Sequence, residues 1–367
     1  MMEYLKVIQT SILFFPFIAF LFTIPYMISQ YHKYGAIHTL RTIIIYSFIL
    51  YLLTAYFLVI LPLPSIEQVQ NLNIPRVQLI PFSFVIDFLN HTSLQMTNPN
   101  TYLTALKEPY VYQVFYNLLL TVPFGIYLRY YFNCNLKKAI GYTFLLSLFF
   151  EFTQLTGLYS IYPKNYRLFD IDDLMINTVG GMIGYFIIGF IQKKIPSRQE
   201  IDEQSYQLGM YVTPLRRMVT YFVDIFLYLI FALIFSFHHR SSFFVIFLLY
   251  YFIIPFTFHG QTFGEAFFHL QIVSSTTKTV VQKSSIYRRF LFYFIYYMIP
   301  FLIFYINILI ISILQLNNFI SIMLSGCFLF AIFVFYIYSL ISFLFLKKTL
   351  LHEMISNTEY KSTMDIK

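Results

Sequence analysis

The sequence predicts an all-α polytopic membrane protein with about nine transmembrane helices, its N-terminus outside and its C-terminus inside. Of the 367 residues, 59% are hydrophobic and only 11% are charged, whereas a soluble domain carries roughly 25% charged residues. The apolar residues are concentrated in runs of about 20, the length that crosses a bilayer. These observations exclude the soluble globular, disordered, collagen-like and coiled-coil classes.

The apolar runs predict the spans, and the basic residues predict their orientation. We expect spans at about residues 6–28, 39–61, 110–132, 137–157, 172–192, 215–237, 242–258, 289–314 and 319–346. With the N-terminus outside, 18 of the 24 Lys and Arg residues fall on the cytoplasmic side, as the positive-inside rule requires. Basic cytoplasmic loops therefore explain the net charge of +8. The expected location is the bacterial cytoplasmic membrane, with no nucleic-acid partner.

A polar stretch divides the chain into two predicted domains. Residues 192–214 form the long polar segment between spans, bracketed by Pro196 and Pro214. We expect a five-span domain at 1–192, a cytoplasmic linker at 193–214 and a four-span domain at 215–361. We expect an outer loop at residues 62–109. Its segment IPFSFVIDFLN is predicted as a short interfacial helix, a re-entrant segment or a plain surface loop.

Polar residues within the fourth and fifth spans form the first candidate site. Glu151 and Gln154 are three residues apart and share a helical face. An ionisable residue within a span costs about 2.5–3.5 kcal/mol on insertion scales, so it suggests a function. On the fifth span, Asp173 and Asn177 continue into a small-residue face at Gly180 and Gly184. We expect these glycines to pack on the fourth span, its sequence neighbour, so that Glu151 and Gln154 face Asp173 and Asn177.

These spans and the loop between them predict a polar cluster near the outer leaflet, which we interpret as a ligand-binding site. Its excess of carboxylates needs a cation, a proton or a basic ligand. A structural hydrogen-bond network, a site for a polar or cationic ligand, and a proton or cation translocation step remain alternatives, and cation binding stays open. The predicted members are Glu151, Gln154, Arg167, Asp170, Asp172, Asp173, Asn177 and, from the third span, Asn117.

Three strings in this region resemble a known family. They are NLLLTVPFG at 117–125, EFTQ at 151–154 and RLFDIDDLMINTVGGMIG at 167–184. They closely resemble the signature of the VanZ-like family, over about residues 40–192. The resemblance implies that Glu151, Gln154, Arg167, Asp170, Asp173, Asn177, Gly180 and Gly184 are family-type positions. It also implies an association with low-level resistance to teicoplanin-type lipoglycopeptides in Gram-positive bacteria.

The C-terminal domain contains a second predicted polar site, Arg217 and Asp224, on one side of the sixth span. Farther on, residues 269–273 and 279–282 predict a small cytoplasmic hairpin. The strings RRMVTYFVD, GQTFG and LLHEMISNT resemble the RDD family over about residues 209–361. Glu265 and Glu353 depart from the pattern of that family. Some RDD-like proteins are linked to cation/proton antiport, and these departures weaken that implication.

The leading functional hypothesis is a non-enzymatic cell-envelope protein whose outer site engages a membrane lipid, a lipid-linked cell-wall intermediate or a lipoglycopeptide. A proton- or cation-coupled transporter would use Glu151 and Asp224 as titrating groups. A metal-dependent lipid-headgroup enzyme would place a divalent ion among Glu151, Asp170, Asp172 and Asp173. Catalytic motifs are weak, because no His pair has metalloprotease spacing and no Ser-His triad is complete. Cys134 and Cys327 form no zinc pattern, so no cofactor is predicted.

Overall fold

The computed structural model describes residues 2–235, 242–315, 317–344 and 349–364, and helices dominate it. The helices of the first part of the chain are α1 Met2–Tyr34, α2 Thr39–Ile60, α3 Ile66–Asn71, α4 Ser83–His91, α5 Tyr102–Ala105, α6 Pro109–Tyr130, α7 Leu136–Leu155, α8 Gly157–Ser160, α9 Ile171–Ile191 and α10 Arg198–Gly209. The later helices are α11 Pro214–Phe235, α12 Ser242–Leu248, α13 Ile254–Thr257, α14 Phe263–Phe267, α15 Gln282–Tyr293, α16 Ile299–Ile313, α17 Asn318–Leu344 and α18 Leu351–Ser356.

Short irregular and extended segments complete the fold. Two π-helical segments, Leu249–Ile253 and Phe294–Met298, join α12 to α13 and α15 to α16. Single 3₁₀ turns occur at Pro99–Thr101 and Gln192–Lys194. The strands are β1 Val77–Gln78, β2 Phe169–Asp170, β3 Leu270–Ser274 and β4 Thr358–Ser362. β1 and β2 pair in parallel, and β3 and β4 pair antiparallel.

The helices confirm a multi-pass membrane protein. Within the described parts of the chain, seven helical segments are long and apolar enough to cross a membrane. They are Val7–Tyr34, Thr39–Ile60, Val111–Tyr130, Ile171–Lys194, Pro214–Phe235, Gln282–Ile313 and Phe319–Leu344. Of the two other predicted spans, the fourth is α7, which carries two lysines and a glutamate, and the seventh is the shorter segment Phe243–Thr257. The count of nine spans and the orientation therefore stay predictions.

Two compact units make up the chain. The first contains Met1–Thr23 and Thr39–Ile201, and the second contains Ile24–His38 and Asp202–Lys367. The last part of α1 belongs to the second unit, where the Tyr34 hydroxyl donates a hydrogen bond to Asp202 at 3.1 Å. The predicted linker 193–214 contains the helix α10. The ends predicted for the sixth and ninth spans, 236–237 and 345–346, lie outside the described residues.

In the first unit, glycines bring α9 against the backbone of α6. A Cβ atom added at Gly180 would overlap the Leu118 carbonyl oxygen, and one at Gly184 would overlap that of Val122. The prediction that these two glycines pack on the fourth span was therefore wrong. Gly181, on the adjacent face, is the residue that meets α7, at Thr143. Small residues on two faces let α9 contact both neighbouring helices closely.

In the second unit, the predicted hairpin has a different second strand. β3 lies at 270–274 as expected, but it pairs with β4, so that Leu270 lies opposite Ser362 and Ser274 opposite Thr358. The prediction that residues 279–282 form the partner strand was wrong. Four of the five residues of β3 are buried. Its backbone hydrogen-bond partners come from β4, which lies far along the chain. Alternation along the sequence cannot reveal a partner so far along the chain.

We expect Gly184→Ala to destabilise the first unit, because the added methyl group would force α6 and α9 apart. Overpacking of this kind typically costs about 1–3 kcal/mol. Gly141→Ala in α7 is the matched control, since a Cβ at Gly141 meets nothing within 4 Å. Thermal unfolding of the purified protein in detergent should show a lower Tm for Gly184→Ala only. Equal Tm values for the two variants would contradict the close packing.

Candidate functional site

The predicted outer cluster forms where α7 meets the start of α9. Glu151, on α7, is 3% exposed, and its Oε2 atom accepts a hydrogen bond from the backbone N–H of Asp170 at 3.0 Å. The side chain of Asp170 caps α9 by accepting from the N–H of Asp172 at 2.9 Å, as Asp commonly does at a helix N-terminus. Glu151 thus points towards the first turn of α9 rather than away from the bundle.

A buried polar layer continues this cluster across three helices. Asn117 on α6 donates to Asp173 on α9 at 2.5 Å. One turn along α9, Asn177 donates to Ser147 on α7 at 2.8 Å, and the Thr121 hydroxyl of α6 donates to the Asn177 carbonyl at 2.6 Å. Asn117, on the third predicted span, therefore contacts the cluster as predicted. Ser147 and Thr121 were missed, because a single hydroxyl residue in an apolar span is not a distinctive sequence signal.

Two predicted members of the cluster serve the end of α2 instead. Arg167 donates to the carbonyl oxygens of Val59 and Leu61, at 2.9 and 3.1 Å. Gln154 donates to the same Val59 carbonyl at 3.1 Å. The expectation that Gln154 faces Asp173 and Asn177 was wrong. The last carbonyl groups of a helix lack partners within that helix, and a cation favours this end of its dipole. Arg167 and Gln154 fulfil this need for α2.

Asp172 binds the outer loop. It is 2% exposed, and its two oxygens accept from the N–H of Phe82 at 2.6 Å, the hydroxyl of Ser83 at 2.7 Å and the N–H of Phe84 at 3.1 Å. These residues begin α4, so the apolar segment of the loop forms a helix. Leu89 of this helix is 71% exposed, an apolar surface of the kind found in interfacial helices. Asp172 therefore holds the start of α4 in place.

The cluster carries an excess of negative charge. Its acidic members are Glu151, Asp170, Asp172 and Asp173. Among the described residues, none of them forms a salt bridge with a cation, because Arg167 uses its N–H groups on carbonyl oxygens. Burial, together with the charges of Asp172 and Asp87, raises the pKa of Asp170. Glu151 has Asp170, Asp173 and Arg167 as its charged neighbours.

The carboxylates do not converge as metal ligands would. In the described parts of the chain, no group of three His, Cys, Asp or Glu residues is placed to hold a metal ion. Asp172 directs both of its oxygens to residues 82–84, and Asp170 directs one to the first turn of its own helix. A divalent ion needs several oxygen ligands around one point, so this geometry gives no support to the metal-dependent alternative.

The region that contains this cluster matches a known protein family. Residues 48–192 match the VanZ/LLP1 family model. The match supports the predicted VanZ-like character of the N-terminal part, and it contains every member of the outer cluster. No curated protein and no solved structure matches the chain. The resemblance of the C-terminal half to the RDD family stays a prediction.

The second predicted site, Arg217 and Asp224, lies on a cavity of about 540 Å³ in the C-terminal unit. The two residues do not pair with each other. Asp224 accepts hydrogen bonds from Tyr250, Thr262 and the Gly264 N–H, at 2.7, 2.7 and 2.8 Å. It therefore holds the N-cap residue and the first turn of α14. Arg217 instead forms an ion pair with Glu353 of α18.

Several residues of this cavity were not predicted as site residues. Arg288 also pairs with Glu353, and Arg289 pairs with Glu265. The arginines fit the positive-inside rule, so their sequence alone suggested only topology. Glu265 also completes a capping box with Thr262, a T-x-x-E signal that was readable in the sequence. Both departures from the RDD pattern, Glu265 and Glu353, thus pair with arginines in the structure.

We expect Asp172→Ala to release α4 from the first unit, because the N–H groups of Phe82 and Phe84 would lose their acceptor. Leaving such groups unpaired costs about 1–3 kcal/mol each where they are buried. Hydrogen exchange of the peptide covering residues 82–91 should accelerate in this variant. Asp87→Ala, which removes an exposed carboxylate from α4 itself, should leave exchange unchanged. Equal protection in both variants would exclude the anchoring role.

We expect His352 to make the second unit less stable in acid. Burial, and then the charges of Arg288 and Arg217, lower the pKa of His352 to about 2. The unfolded chain takes up this proton near pH 6.5, so between these values stability falls by about 1.4 kcal/mol per pH unit as pH decreases. His352→Gln should reduce the loss of Tm between pH 6.5 and 5. His91→Gln, in the outer loop, is the control, and identical slopes would refute the assignment.

Proposed function

We propose that this protein contributes to protection against teicoplanin-type lipoglycopeptides by engaging a lipid-linked or lipophilic ligand at its outer acidic cluster. The observation that carries the proposal is the pair of carboxylates Glu151 and Asp173. They lie near each other where α6, α7 and α9 meet, and neither forms a salt bridge with a cation among the described residues. The match of residues 48–192 to the VanZ/LLP1 family supports the same assignment.

The hydrogen bonds of the cluster distinguish residues that stabilise the fold from residues that are free to bind a ligand. Arg167 and Gln154 bind the end of α2, and Asp172 binds the start of α4, so each has a structural task. Glu151 is buried and Asp173 is half-buried, and a basic ligand group would stabilise the ionised forms of both carboxyl groups. A ligand with an amine and an apolar tail fits this site, because the charge lies beside helices that expose apolar side chains to lipid. Exposed Phe152, next to Glu151 in sequence, is one of these side chains.

The transporter alternative has less support. It requires both Glu151 and Asp224 to exchange protons or cations along a path. Asp224 accepts three hydrogen bonds, two of them from the start of α14, so a change in its charge would disturb the local fold. We therefore favour ligand engagement at the outer cluster.

We expect Glu151→Gln and Asp173→Asn to abolish teicoplanin protection in a deletion strain that re-expresses the protein. Each amide removes one negative charge while keeping the size of the side chain. The minimal inhibitory concentration of teicoplanin should fall to that of the deletion strain, while that of vancomycin stays constant. Glu67→Gln, an exposed carboxylate of α3, is the control and should retain protection. Full protection by both cluster variants at equal membrane abundance would refute the proposed site.

A further inference from the structure

The cavity of the C-terminal unit has the dimensions of a ligand site. Its volume of about 540 Å³ lies within the range of roughly 300–1,000 Å³ that small-molecule pockets occupy. All its lining residues belong to the second unit. Most are aromatic or aliphatic, and the charged ones are Arg217, Arg288, Arg289, Asp224 and Glu265. An apolar wall with a few charged groups is the usual composition of a binding pocket.

The charges of this cavity do not balance around Arg217. The Oε1 atom of Glu353 accepts from both Arg217 and Arg288, so that one carboxylate serves two guanidinium groups. Arg289 has its own partner in Glu265. His352 remains neutral at physiological pH, because its pKa is about 2. Asp224 is not among the charged neighbours of Arg217, so one positive charge remains at the Arg217–Arg288 pair.

Arg217 is the accessible member of that pair. Its side chain is 19% exposed, whereas those of Arg288 and Glu353 are 3% and 5% exposed. The Arg217 guanidinium lies 4.7 Å from the centroid of the Phe343 ring and 4.9 Å from that of Tyr360. These rings and Glu353 hold the guanidinium in one orientation. A fixed guanidinium fork matches the geometry of a phosphate or carboxylate group.

The cavity wall changes from charged to apolar along the membrane helices. Arg217 lies in the first turn of α11, and Phe222 follows on the same helix. On the helical segment Gln282–Ile313, which contains Arg288, the later residue Tyr297 also lines the cavity. Phe222, Tyr297 and Leu340 are 60%, 51% and 45% exposed, although they belong to segments apolar enough to span a membrane. The apolar end therefore borders the region that lipid chains would fill.

We propose that this cavity binds a phospholipid, whose phosphate pairs with Arg217 and whose acyl chain lies along Phe222, Tyr297 and Leu340. The phosphate accepts hydrogen bonds from the Arg217 guanidinium and balances the positive charge that remains at the Arg217–Arg288 pair. A free phosphate ion shares this chemistry, but the apolar wall favours an amphipathic molecule. An anionic lipid such as phosphatidylglycerol fits better than a zwitterionic one, because only the anionic lipid brings a net negative charge.

The chain contains no tryptophan, so one introduced tryptophan gives a clean fluorescent probe. Phe222→Trp in the full-length protein would be mixed, in detergent micelles, with lipids that carry bromine on the acyl chain. Bromine quenches tryptophan only at short range. We expect brominated phosphatidylglycerol to quench at about fivefold lower concentration than brominated phosphatidylcholine, the factor that one interfacial charge contact gives. Equal quenching by both lipids would overturn the proposal.

Further variants identify the charge responsible. Arg217→Gln in the Phe222→Trp background should reduce the preference to about one. This variant leaves Glu353 paired with Arg288, which keeps the buried carboxylate compensated. Lys278→Gln is the matched control, since it removes a cation from an exposed pair with Glu359, and it should keep the preference. A preference that survives Arg217→Gln would overturn the assignment.

Inorganic phosphate distinguishes a lipid from a free anion. We expect sodium phosphate, exchanged for chloride at constant ionic strength, to leave most of the quenching by phosphatidylglycerol in place, because the acyl chain contributes to binding. Complete displacement by phosphate would show that the site holds a free anion and would overturn the lipid assignment.

Discussion

The N-terminal unit depends on the close contact between the backbones of α6 and α9. Gly180 and Gly184 have no side chain that would separate the Leu118 and Val122 carbonyls from α9. In membranes, where apolar side chains gain little by leaving lipid, such close approach is a main source of helix association. The contact also sets the polar layer, because it brings Asn117 next to Asp173 and Thr121 next to the Asn177 carbonyl.

Around this contact, charged residues divide into two groups with different tasks. Arg167 donates hydrogen bonds to carbonyl oxygens at the end of α2, and Asp172 accepts them from N–H groups at the start of α4. Such contacts satisfy buried polar groups that would otherwise destabilise the fold. Glu151 and Asp173 form no salt bridge within the described parts of the chain. The residue type alone does not separate these roles, since both groups consist of ionisable side chains within residues 151–173.

The C-terminal unit handles its charges differently. There, arginines and glutamates form buried pairs, with Glu353 shared by Arg217 and Arg288 and Glu265 paired with Arg289. The Tyr360 ring packs against the guanidinium groups of Arg217 and Arg288, and its centroid lies 4.2 Å from the Cζ atom of Arg288. Buried pairs of this kind offset part of the desolvation energy of each ion. Unbalanced acidic groups remain at the outer cluster of the first unit, whereas positive charge remains beside the cavity of the second unit.

The sequence by itself determined the class of fold, most of the spans and the polar positions of the VanZ-like region. Apolar length and charge placement are local properties, and the bilayer requires them of each span separately. Only the tertiary structure decided which groups meet. It paired Gly180 with α6 rather than α7, β3 with β4, and Glu353 with two arginines. These contacts join residues far apart in the chain, and helical or strand periodicity specifies a face without specifying its partner.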